Sequence, residues 1–365
     1  MSTPRSLALP HRVLARQIET ARGTFAVLQA SPGRGVCERR PALLVPGYTG
    51  SKEDFLPVLQ SLAAAGRRVY ALDQRGQYET HGPADPTSYL PDSLAADVLA
   101  VALAVADGDG EKGVHLLGHS LGGLIARQAV LADASSAILS LTLLGSGPAS
   151  IGGRRAELVR AMLAVLGAPT ADVPEPGAAR VPATEPGAAE AVAAESAAAG
   201  RAGADIASAG RQLHDRVKKL WAEQLAPQAR AEGVPEYIIA FLRERTLRTS
   251  PVGLIMMGRY LLHCPDRTAE LAALPATRIL VVFGENDDAW RPDAQDRMAR
   301  RLRAQRICIP GAAHSPAIEA PETTASTLTD FWNAAERASR QLRSVSGRQH
   351  GGGLPPARGP AAGSG

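Results

Sequence analysis

A chain of 365 residues, 45% of them apolar, is long enough for one large α/β domain or two small ones around a sizeable core. Its 40 Lys and Arg against 36 Asp and Glu leave a net charge of only +4, and no arginine run interleaved with aromatics argues for nucleic acid as a partner. Cys37, Cys264 and Cys308 are far apart and lack C-x-x-C or Cys/His spacing, so neither a disulfide framework nor a metal site is implied.

Residues 1–20 contain Arg5, His11, Arg12 and Arg16 but no apolar core of signal-peptide length, and no later segment reaches a membrane-spanning length. A cytoplasmic protein without membrane insertion is the expectation. Arg16–Glu19 and Thr24–Gln29 flank the turn Ala21-Arg22-Gly23 and predict an opening antiparallel hairpin. Six further strand-like runs follow: Ala42–Val45, Arg68–Leu72, Val114–Leu117, Leu139–Leu144, Arg278–Phe283 and Arg306–Ile309. Most are continuously apolar, the pattern of strands covered on both faces. Helical periodicity lies between them at Glu53–Ala65, Ser93–Ala106, Leu121–Leu131, Pro292–Ala304 and Pro321–Ala338. Strand and helix in alternation predict a doubly wound, mostly parallel eight-stranded α/β sheet, with the core at 12–150 and 271–340.

The alternation stops between Leu144 and Arg278. Amphipathic stretches at Arg155–Leu166, Leu213–Leu225, Ile238–Leu242 and Leu254–Leu262 predict a helical cap over 151–270, inserted into the sheet domain. Within it, 168–210 is mostly Ala, Gly, Pro and Glu with no aromatic residue, too little apolar area to offset the ordering of its backbone, so a loose or disordered segment is expected. The Gly- and Pro-rich tail 344–365 is expected to be unstructured.

Chemistry concentrates at Gly118-His119-Ser120-Leu121-Gly122, where the apolar run Val114–Leu117 gives way to a helical pattern. This is the G-x-S-x-G arrangement that presents a serine on a sharp strand-to-helix turn, with glycines where a Cβ would collide with neighbouring backbone. A serine hydroxyl needs an adjacent base, and that base needs an orienting carboxylate. Of the eight histidines, His115 is inside a strand, His119 is on the elbow itself, His81, His214 and His263 belong to loop or cap, and His11 and His350 are terminal. His314 remains, in a Gly-containing loop beyond the last strand and so at the carboxyl edge of the sheet. For the carboxylate, the strand ending at Phe283 runs into Gly284-Glu285-Asn286-Asp287-Asp288. Asp287, at G-x-x-D spacing, is the first candidate, Asp288 the nearer rival and Glu285 the next; either rival also suits a helix cap. Backbone amides for a developing oxyanion are expected from Leu121, after the serine, and Tyr48, in Pro46-Gly47-Tyr48 after the strand Ala42–Val45.

With these residues in order, the chain resembles the α/β-hydrolase superfamily, in its capped esterase- and lipase-like branch. The resemblance also draws on Asp73-Gln74-Arg75-Gly76 and on Gly311–His314 followed by Glu319-Ala320-Pro321-Glu322. It departs from the pattern at Pro46-Gly47, where many relatives carry His-Gly, and at Gln77-Tyr78-Glu79-Thr80, which implies a differently shaped loop beside the site. The resemblance implies a serine hydrolase for a small-molecule acyl substrate, with Ser120 as nucleophile, His314 as base and no cofactor or metal. Thioesterase, lactonase, carbon–carbon hydrolase, acyltransferase and cofactor-free haloperoxidase or perhydrolase chemistry use the same triad, and a non-catalytic binding protein on this fold is the alternative of another class. Trp221, Tyr237, Phe241, Met256, Met257 and Tyr260 are the cap residues expected to wall an apolar pocket; Arg243, Arg245 and Arg248 could receive an anionic substrate group, but a solvated helix face is the expectation for them.

Overall fold

The computed structural model describes residues 2–34, 39–106, 113–168, 210–274 and 278–349, with side chains to residue 341. The expected loose segment therefore lies, but for its two ends, outside the described residues, as does most of the tail.

Eight strands form one sheet: β1 (Val13–Thr20), β2 (Gly23–Ala30), β3 (Arg39–Val45), β4 (Arg67–Leu72), β5 (Val114–His119), β6 (Ile138–Leu144), β7 (Arg278–Gly284) and β8 (Gln305–Ile309). Their spatial order is β1-β2-β4-β3-β5-β6-β7-β8. The β1–β2 and β2–β4 pairs are antiparallel and the remaining five are parallel. Each strand anticipated from the apolar runs is present.

The continuous apolar runs follow from two-sided burial. Leu43 and Val45 point to one face, Ala42 and Leu44 to the other, and all four are inaccessible to solvent. The first face packs against α2 (Pro91–Ala106) and α3 (Leu121–Ala132), the second against α1 (Leu56–Ala64).

Between β6 and β7 the described chain is helical: α4 (Gly153–Val165), α5 (210–231), α6 (Glu236–Arg248), α7 (Pro251–His263) and α8 (Thr268–Ala272). Here α4 to α7 share an apolar cluster of their own, built on Met162, Leu166, Val217, Leu220, Trp221, Leu225, Ile238, Ile239, Phe241, Leu242 and Leu254. Helix α5 widens at Trp221–Leu225, where the Ala226 amide reaches back to the Trp221 carbonyl five residues earlier. Pro227, which has no amide hydrogen to give the Glu223 carbonyl, accounts for that widened turn.

After β7, helix α9 (Pro292–Arg301) packs on the first face of the sheet, and α10 (Pro316–Glu319) leads into α11 (Pro321–Gln349) on the second. The last helix continues six residues into the stretch expected to be unstructured from residue 344. Over 344–349 Arg348 and Gln349 favour helical backbone, which tolerates the single Gly347.

Candidate active site

Ser120 sits at the junction of β5 and α3 with φ 55° and ψ −122°. A non-glycine residue held there is strained, and the packing around it shows what enforces the turn. A Cβ on Gly118 would lie 2.2 Å from the Gly122 carbonyl oxygen, and one on Gly122 would lie 2.4 Å from that of Val45. Only hydrogen atoms fit at both positions, so the elbow closes and pushes the hydroxyl outward.

His314 follows β8 in the loop Pro310–Ser315, where its Nε2 lies 3.0 Å from Ser120 Oγ. On the other side its Nδ1 lies 3.0 Å from Asp287 Oδ1. A carboxylate only accepts, so Nδ1 carries the hydrogen and Nε2 is left to receive the serine proton. Asp287 is buried, and Oδ1 also accepts the amides of Ala289 at 2.9 Å and Trp290 at 3.3 Å, while Oδ2 accepts Gln295 Nε2 at 2.8 Å. Both carboxylate oxygens are thus held in place. The rivals are occupied elsewhere: Asp288 is exposed and pairs with Arg155 Nε at 2.9 Å, and Glu285 accepts the Gly311 amide at 2.9 Å.

Gly47 brings the loop after β3 against the elbow; a Cβ there would meet the Ser120 Cβ at 2.9 Å. Tyr48 directly follows Gly47 in that loop, and Leu121 is the first helical residue after Ser120. The Tyr48 hydroxyl donates to the Leu254 carbonyl of α7 at 2.9 Å, and burial raises its pKa well above the ordinary phenol value.

Four supporting side chains were not readable from the chain. His119 turns away from the serine, as its place on the elbow dictates, and its Nε2 donates to the main-chain carbonyl of His314 at 2.8 Å. Burial, assisted by the neighbouring His314, depresses its pKa to about 3, so it remains a neutral donor that fixes the loop carrying the base. Gln74 Nε2 donates to the Pro46 carbonyl and Gln77 Nε2 to that of Gly47, each at 2.9 Å. Gln74, in the stretch that follows the family pattern, and Gln77, at the start of the stretch that departs from it, thus brace the loop in which a His-Gly is replaced. Gln295, which holds Asp287, lies one helical turn into α9, where no spacing rule would single it out.

A cavity of about 400 Å³ opens on Ser120 and His314. Its apolar wall is Ile151, Leu158, Val159, Met162, Leu225 and Leu261, with Arg155, Gln224 and Gln228 supplying polar groups. The aromatic and Met residues expected there are placed otherwise. Trp221 and Phe241 are buried in the helices' own cluster, Met257 and Tyr260 in the core beneath, Met256 packs beside them, and Tyr237 is exposed. Their size suits the interior of the insertion, and the smaller face of α4 is what turns to the cavity. Arg245, expected on a solvated face, is fully buried, with Nη1 on Asp54 Oδ1 at 2.8 Å. Arg243 and Arg248 are exposed.

Among the described residues no cluster of His, Cys, Asp and Glu suits a metal ion, and no helix is long and apolar enough to cross a membrane.

Comparison with known proteins gives a consistent setting. The model of the alpha/beta hydrolase family matches residues 42–327. Over 112 residues the chain is 35% identical to the curated protein "Putative carbamate hydrolase RutD" of Variovorax paradoxus (strain S110), a match spanning 31% of this chain and 40% of that protein's length. Among solved structures, an esterase from Exiguobacterium antarcticum aligns at TM-score 0.56 and 16% identity over 88% of this chain and 100% of its own. A thermophilic esterase from Thermogutta terrifontis gives 0.56 at 18% identity, covering 88% and 99%. The enol-lactonase of Burkholderia xenovorans LB400 gives 0.56 at 17% identity, covering 87% and 100%. At these identities the likeness is one of fold.

Proposed function

The chain belongs to the alpha/beta hydrolase family, and from that premise we propose that it is a serine hydrolase cleaving a carboxylic ester or a closely related acyl bond through an acyl-enzyme. The observation that carries the proposal is the unbroken relay from Ser120 Oγ through His314 to Asp287, with 3.0 Å at each step, on a backbone strained toward the cavity.

Ser120 Oγ attacks the acyl carbon as its proton passes to His314 Nε2. Asp287 holds the ring in the tautomer that leaves Nε2 free and offsets the positive charge it acquires. The carbonyl oxygen, now carrying the electron pair, accepts hydrogen bonds from the Tyr48 and Leu121 amides. Collapse of the tetrahedral species expels the alkoxide, which takes the proton from Nε2. Water then attacks the acyl-enzyme by the same route, its proton going to Nε2 and from there to Ser120 Oγ, which releases the acid. Every step balances with substrate and water alone, so the cycle calls for no cofactor.

The helical insertion acts as a cap. Its apolar wall favours a substrate with an aliphatic portion of medium length, and the polar groups of Arg155, Gln224 and Gln228 face the same space. The carbamate hydrolase named among the relatives makes a carbamate a sensible member of any substrate panel, since the same attack on an acyl carbon applies.

A fluorophosphonate probe and a panel of p-nitrophenyl esters test the proposal. Wild type is expected to be labelled and to turn over esters, whereas Ser120→Ala does neither. Absence of both labelling and turnover in folded wild type would instead favour a binding protein on the same fold.

A further inference from the structure

Residues 2–9 precede the first strand, yet they run back across the molecule to the site. Pro4 is buried, Leu7 packs on the apolar cluster of the insertion, and Tyr237 Oη donates to the Arg5 carbonyl at 3.2 Å. At the tip, the Ser2 carbonyl accepts from Arg245 Nη2 at 2.9 Å. Ser2 Oγ lies 3.2 Å from Oγ of Ser315, the residue after His314. Ser2 thereby lines the cavity that holds Ser120 and His314.

The anchoring is built rather than incidental. Arg245 is buried and already paired with Asp54, so its guanidinium is fixed in place, and the second arm of that fork is directed at a main-chain carbonyl. Behind Ser2 is a second, much smaller space of about 10 Å³, which Ser2 borders together with the apolar Phe55, Ala317 and Ile318 and the polar Asp54, His119 and Ser315. The N-terminal residues therefore stand as a partition between the substrate cavity and a small recess of mixed polarity.

We propose that this segment is a specificity-determining wall: Ser2, held by Arg245 and Ser315, closes one end of the cavity and sets the longest straight chain the site accepts. The inference rests on the hydrolase reading of that cavity. A methylene beyond the wall has no space, and one short of it leaves apolar surface unfilled, so chain length is discriminated by fit at this point.

The test is the ratio of kcat/KM for p-nitrophenyl octanoate to that for the acetate. A chain lacking residues 2–9 is expected to raise the ratio at least threefold, because the space that Ser2, Pro4 and Leu7 fill is then joined to the cavity; Ser2→Trp is expected to lower it at least threefold. A smaller change in either variant, with the circular dichroism spectrum of wild type retained, overturns the wall. Should the shortened chain fail to fold, Ser2→Trp decides alone. A folded wild type that cleaves no ester overturns the hydrolase reading, and the wall is then judged by calorimetric binding of butyrate through dodecanoate to the same proteins. There the longest chain bound must shift in the same two directions; an unshifted limit, or no binding at any length, overturns the wall as well.

Discussion

Asp287 and Asp288 are neighbours in sequence with opposite surroundings, and the difference can be measured. Asp287 is buried under two amides, a glutamine side chain and the imidazole of His314, while Asp288 faces solvent and Arg155. Asp287→Asn puts a donor where only an acceptor holds the productive tautomer, and it is expected to lower kcat by roughly 10³- to 10⁴-fold. Asp288→Asn is expected to stay within about twofold, since an exposed ion pair contributes little. Steady-state kinetics on one ester decides, and equal losses would remove Asp287 from its role. The sequence allowed this choice because G-x-x-D spacing fixes which way a residue turns after a strand. It did not allow Gln295 or the donor role of His119 to be seen, because both depend on where other segments pass in space.

At the scale of elements, the central strands β3 to β7 were the most legible part, since burial on both faces leaves short, nearly continuous apolar runs. Short helices such as α8 and α10, of five and four residues, have too little periodicity to be read. Buried polar contacts between elements were also unreadable, and His115 of β5 is an instance with a consequence. Its Nε2 donates to Glu336 of α11 at 3.2 Å, its Nδ1 accepts from Ser140 of β6 at 2.7 Å, and its ring stacks on Trp332. Burial depresses its pKa to about 4, outweighing the pull of Glu336, so the folded chain holds it neutral. An unfolded chain takes up that proton near pH 6.5, so the stabilisation it provides is present above that pH and is lost as pH falls toward 4. Asp54 and Asp73, whose pKa values burial raises to about 6 and about 7, act in the opposite sense over the same range. A comparison of variants cancels them. Between pH 7 and 5, His115→Gln is expected to lose less stability than wild type, by on the order of 1 kcal/mol in urea denaturation. Parallel losses in the two proteins would show that His115 is protonated in the folded state.

Across the whole molecule, Arg245 joins three parts: α6 of the insertion, the loop after β3 through Asp54, and the N-terminal residues through Ser2. Removing one partner of a buried pair leaves the other desolvated and without its compensating contact. Arg245→Met is expected to cost about 3–5 kcal/mol, and adding Asp54→Asn to recover more than half of it, as measured by chemical denaturation. If the double variant is no more stable than the single one, the pair is not what holds the three parts together. None of this was legible in the chain, where Arg245 shares its helix with exposed Arg243 and Arg248 and nothing marks it as different. The chain's three tryptophans fall in three different settings: Trp221 in the cluster of the insertion, Trp332 beneath the second face of the sheet, and Trp290 with its ring 6.2 Å from that of His314. Each indole is therefore a private optical reporter. With the other two replaced by phenylalanine, native fluorescence from a single position would follow the insertion, the sheet or the reacting imidazole separately, without any dye.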